Sequence, residues 1–65
     1  MINTIIKSQK GMVMVFDAMG EQIPEYQGQY EDMKEKILRD APPDAVFNHW
    51  FDGAERPVMV SREDW

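Results

Sequence analysis

Hydrophobic and polar positions change their rhythm several times along the chain, and each change marks an expected element. Met12-Val13-Met14-Val15-Phe16 is an unbroken apolar run, the pattern of a strand buried on both faces and central in its sheet. Asp17-Ala18-Met19-Gly20 follows and reads as a type I turn. The Asp17 carboxylate suits its first position, and Gly20 suits the left-handed residue that closes a three-residue hairpin loop with a bulge. The return run, Glu21 to Tyr26, contains Pro24. Proline cannot donate to a ladder, so this strand is predicted at an edge. Pairing Asp17 with Glu21 sets Val15 beside Ile23 on one face. Phe16 with Gln22, Met14 with Pro24 and Met12 with Tyr26 then share the other.

After Gln27-Gly28 the period lengthens. Tyr30, Met33, Ile37 and Leu38 fall on one side of a helix from Tyr30 to about Arg39, within residues 29–40. Asp32–Lys36 and Glu35–Arg39 are expected ion pairs along it, acid first. Ala41-Pro42-Pro43-Asp44 stops the helix. Ala45 to Phe51 is a second strongly β-prone run. Asp52-Gly53-Ala54-Glu55 is a turn, and Pro57 to Val60 returns as a short strand. Ser61 is followed three residues later by an acid, which resembles a capping box and predicts one turn of helix to hold Trp65. Residues 1–11 read as an extension ahead of a domain at 12–65. In it Ile2, Ile5 and Ile6 form a short strand or pack loosely before the Ser8-Gln9-Lys10-Gly11 break.

The predicted class is therefore α+β. The order β-β-α-β-β gives a two-layer fold, with a four-stranded, mostly antiparallel sheet in the order 2-1-3-4 and one helix on one face. The two most apolar runs, 12–16 and 45–51, take the centre.

Composition narrows the choice of function. With 65 residues, 43% hydrophobic and 11% aromatic, the chain is one small domain near the lower limit for folding alone, and disorder is not expected. The absence of cysteine excludes a disulfide scaffold and a thiolate metal site. Twelve acids against seven bases give a net charge of −5. That balance repels phosphate backbones, so no nucleic-acid partner is expected. No apolar run approaches the ~18 residues of a membrane span, and the N-terminus is too short and polar for a signal peptide. Neither membrane association nor export is expected, and the chain reads as cytoplasmic.

Chemistry is sparse. His49 is the only histidine and, in a strand, shares a face with Phe47 and Phe51. That is the setting of a packed side chain, and it lacks the nearby nucleophile and orienting acid of a catalytic set. Asp17, Asp52 and Glu55 sit in two turns, which would attract a hard cation only if those turns met. No catalytic residue, cofactor or metal ligand is therefore expected. Apolar surface is in excess instead, because a single helix covers one sheet face only. The candidate interaction surface is Met12, Met14, Phe16, Tyr26, Trp50 and Trp65. Methionine adapts to a partner's shape and tryptophan offers area.

The stretch Val15 to Gly28, with Tyr30-Glu31-Asp32 and Ala41-Pro42-Pro43-Asp44-Ala45-Val46-Phe47, resembles a group of small uncharacterised proteins of bacteria and their prophages. The likeness covers about residues 12–51 and leaves the first eleven outside. It implies a stand-alone small domain encoded among phage genes, and supplies neither a catalytic residue nor a substrate. The expected function is a non-enzymatic interaction module that binds a protein partner or a second copy of itself through an apolar sheet face. One alternative is an acidic inhibitor that imitates nucleic acid at a basic site. Another is a small metal-dependent or enzymatic domain using His49.

Overall fold

The computed structural model describes all 65 residues. Its first element is a strand. β1 (Ile2–Lys7) and β2 (Met12–Asp17) form an antiparallel hairpin through the Ser8–Gly11 turn, where Ser8 Oγ accepts from the Met12 N–H at 3.1 Å. A one-turn 3-10 helix (Pro24–Tyr26) and a two-residue strand β3 (Gly28–Gln29) lead into α1 (Tyr30–Asp40). β4 (Val46–His49) and β5 (Val58–Val60) complete the chain. The five strands lie in the order β3-β2-β1-β4-β5, antiparallel throughout except for the β1–β4 pair, which is parallel.

The α+β class and the single helix agree with the sequence reading; the strand count and order do not. β1 enters between the two runs expected to be adjacent, so the sheet has five strands and not four. Residues 2–7 are thus the central strand and not an extension outside the sheet. A bulge between Ile2 and Thr4 shifts the register, and both Ile2 and Ile5 end up buried. Their spacing of three breaks the two-residue alternation that identifies a strand. The parallel pair follows from the connection between β2 and β4. It runs across the sheet as α1 and delivers β4 to the far side of β1.

The first hairpin loop forms as expected. Asp17 Oδ1 accepts from the Met19 and Glu21 N–H groups at 2.9 and 3.0 Å, and Gly20 has φ +85°. The return strand is only partly made. Asp17 pairs with Glu21 and Ile23 with Val15 through backbone bonds of 2.8 Å, and Phe16 bridges to Gln22. Pro24 then starts the 3-10 turn, so Tyr26 does not pair with Met12. Gln29 takes that place in β3.

The core lies between α1 and one sheet face. Ile5, Val13, Val15 and Phe47 from the sheet meet Ile37 and Ala41, and Trp65 closes the side. β-Branched residues in the strands stand stiffly and let the helix approach closely. Gly28 helps the helix begin, since a Cβ there would stand 3.1 Å from Met33 Cγ. Arg62 secures the helix end. Its guanidinium donates to the carbonyls of Leu38, Ala41 and Pro42, at 3.3, 3.3 and 2.6 Å, and lies over the Phe47 ring. The Leu38 and Ala41 carbonyls are ones that a helix ending in Ala-Pro-Pro leaves without backbone partners, and the Pro42 carbonyl also accepts from the Ala45 N–H.

The ion pairs expected along α1 do not form. Lys36 turns to Glu25 O and the Tyr26 ring, and Arg39 pairs with the adjacent Asp40 at 3.1 Å.

The candidate interaction face

Strand alternation divides the sheet into two unlike surfaces. Ile5 pairs with Val15 on one side and with Phe47 on the other, and this row lies under α1. The intervening row points away from the helix. It consists of Thr4 and Ile6 from β1, Met12, Met14 and Phe16 from β2, Val46 and Asn48 from β4, and Met59 from β5. None of these residues carries a charge. Most are half-buried by their neighbours in the sheet, and Met59 is 70% exposed. No second layer covers them. Asn48, the most polar member, is tied down, its Nδ2 donating to Ile5 O at 3.2 Å.

Of the residues singled out from the sequence, Met12, Met14 and Phe16 lie together on this open face. Tyr26 lies instead on the helix side. Its hydroxyl donates to Asp40 Oδ2 at 2.7 Å and its ring packs against the core. That bond holds the Asp40 carboxyl below the usual aspartate range, with help from Arg39, and raises the Tyr26 hydroxyl above its ordinary value.

Trp65 is not surface at all. It is 3% exposed, with Tyr30 and Phe47 each 5.1 Å from its ring and its indole N–H donating to Asn48 O. The turn that begins at Ser61 carries it there, with Ser61 O accepting from the Asp64 and Trp65 N–H groups. The sequence signal for a terminal turn was present, but nothing local named the slot the indole would fill.

Trp50 lies beyond the end of β4. Its backbone N–H donates to Lys7 O and its indole N–H to Ala54 O at 2.9 Å. It lines a hollow with Ser8, Gln9 and Lys10.

His49 faces Phe51 edge-on at 5.4 Å, and its Nε2 lies 3.4 Å from Trp65 O. Asp17 stands at the end of the sheet where β1 begins, whereas Asp52 follows β4 at the opposite end, so the two turns do not meet. No group of three or more histidine, aspartate or glutamate side chains is placed to hold a metal ion. No helix is long and apolar enough to cross a membrane.

No family model, curated protein or solved structure matches the chain.

Acidic residues gather at one end of the open face. Asp17 ends β2, Glu21 is bonded to it through the hairpin, and Asp44 precedes β4, which starts beside Thr4. The opposite end carries Lys7 and Lys10 with Asp52 and Glu55. An incoming surface would therefore meet an uncharged apolar centre bounded on one side by carboxylates.

Proposed function

We propose that the chain is a non-enzymatic interaction module, and that its open sheet face docks a different protein with an apolar strip bordered by basic side chains. The observation that carries this reading is the uncovered row of Met12, Met14, Phe16, Ile6, Val46 and Met59 on a five-stranded sheet whose other face is closed by α1.

Area and charge favour a different protein over a second copy. Five strands of up to six residues make a face of roughly 20 Å by 20 Å, or about 400 Å². Stable pairs bury about 800 Å² per partner. A partner must therefore reach beyond the face onto its rim, where Asp17, Glu21 and Asp44 favour basic groups. A second copy would bring another −5, and its lysine end carries Asp52 and Glu55 as well, so it matches that rim less well than a basic partner does.

Affinity capture from extracts of the encoding cells, using the chain, Met14→Glu and Met19→Glu as baits, tests the proposal. Met19 is 85% exposed at the hairpin tip, away from the face. The captured protein is then titrated against the chain labelled on methionine methyls. Capture by the chain and Met19→Glu but not by Met14→Glu, with shifts at Met12, Met14 and Met59, is the expected result. Equal capture by Met14→Glu would refute the docking face. A concentration-dependent dimer that Met14→Glu dissolves would replace the different partner with a second copy.

A further inference from the structure

A second feature stands apart from the open face, at the end of the parallel pair. β1 and β4 run side by side and finish together, with Lys7 paired to His49. From there the chain departs in opposite directions. β1 turns through Ser8–Gly11 to β2 on one side, and β4 turns through residues 50–57 to β5 on the other. Where neighbouring parallel strands send their connections apart, neither loop fills the space beyond their carboxyl ends, and a crevice opens there.

The crevice is present. Two adjoining hollows of about 240 and 350 Å³ share Ser8, Gln9 and Trp50 as lining. Lys10 borders the first, and Lys7, His49 and Asp52 the second. The two loops are fastened to each other by Gln9 Nε2, which donates to Ala54 O at 3.4 Å, and by the Trp50 N–H bond to Lys7 O at 2.8 Å. The walls are thus held in place without a ligand.

Its charge is opposite to that of the chain. In a protein of net charge −5, the two hollows are lined by Lys10 in one and by Lys7 and a histidine in the other, against a single carboxylate, Asp52. The one ion pair in the structure is Arg39–Asp40, so neither lysine is neutralised by an acid. Lys7 Nζ rests 3.7 Å from the centre of the Tyr30 ring, with no carboxylate in ion-pair contact. Trp50 supplies the flat apolar wall, its indole N–H already committed to Ala54 O. A group lying on that wall would gain by stacking and not by competing for the N–H.

We propose that this crevice binds a small organic anion, a planar ring seated against Trp50 with a carboxylate or phosphate received by Lys7 and Lys10. Binding is read from the Trp50 indole and His49 ring signals during titration with uridine monophosphate, benzoate, uridine and inorganic phosphate, each to roughly 10 mM, the range of weak small-ligand sites. The expected result is saturable shifts at both residues with uridine monophosphate or benzoate, and binding at least about tenfold weaker for uridine and for phosphate, each of which lacks one half of the ligand. Lys7→Met should weaken binding by about tenfold. Asp52→Asn, in an exposed turn, should strengthen it by about two- to fivefold, and tests the charge argument even if Lys7→Met does not fold. Absence of saturable shifts with every probe overturns the proposal. So does phosphate alone binding as well as uridine monophosphate, or affinity indifferent to the available variants.

Discussion

The two faces of the sheet are built from different side chains by the same strands. In β2, Val13 and Val15 point to the helix and are fully buried, while Met12, Met14 and Phe16 point away and stay half-exposed. The covered row is stiff and compact, which suits a permanent contact with α1. The open row is long, flexible and uncharged, which suits a surface that must adapt. Alternation within one apolar run thus divides a core from a candidate binding face.

The largest effect that tests this contrast is expected at Trp65. Trp65→Ala removes the ring between Tyr30 and Phe47 and should cost about 3–5 kcal/mol, read by denaturant unfolding. Loss of less than about 1 kcal/mol would mean that the terminal turn is not part of the core.

Next comes a matched pair. Ile37→Ala, in the covered core, should cost about 2–5 kcal/mol. Met14→Ala on the open face should cost about 1 kcal/mol or less, because much of that side chain gains no burial to lose. Equal costs would break the distinction between the faces.

Gly20→Val is smaller and bears on both faces, since the hairpin sets the register that sorts them. It should destabilise by about 1–2 kcal/mol, because a β-branched residue resists the positive φ of +85°. Nothing lies within 4 Å of a Cβ there, so the cost would be one of backbone conformation alone. An unchanged midpoint would show that the turn has another conformation.

The smallest effect concerns the surface bond between Tyr26 and Asp40, which pins the 3-10 turn to the covered side. Asp40 titrates below its ordinary range in the folded chain. The carboxylate therefore contributes stability above the unfolded value, near pH 4, and that contribution is lost as pH falls through the lower folded value. Tyr26 is shifted upward, so its contribution is complete below about pH 10 and fades as pH rises through the folded value. Asp40→Asn should flatten the acid limb of the stability profile. An unaltered limb would show that the bond does not persist in solution.

Much of this fold was legible in local patterns. The helix, the Asp17–Gly20 turn and the apolar runs that became β2, β4 and β5 each carry their own period or turn chemistry, and the structure places them within a few residues of expectation. What escaped was non-local. The bulge in β1 puts Ile2 and Ile5 in the same core at a spacing of three, so no alternation betrays a central strand. Pro24 signals the end of pairing, but not that a 3-10 turn would carry Tyr26 to the helix. Trp65 and Arg62 act over more than sixteen residues of sequence, and no neighbouring residue points to Asn48 O or the Leu38 carbonyl as partners. The open face was legible in part, because Met12, Met14 and Phe16 share a strand. Ile6 and Met59 joined them only once β1 and β5 were placed.

The central claim is that the chain alone presents its methionine face to solvent, ready for a partner. Methyl relaxation by a soluble paramagnetic agent, recorded on a sample whose mass is determined by sedimentation, tests it most directly. The account predicts a monomer in which the Met12, Met14 and Met59 methyls are strongly relaxed and those of Ile5, Val13, Val15 and Ile37 are protected. A monomer with Met12 and Met14 as protected as Val13 and Val15 would contradict it.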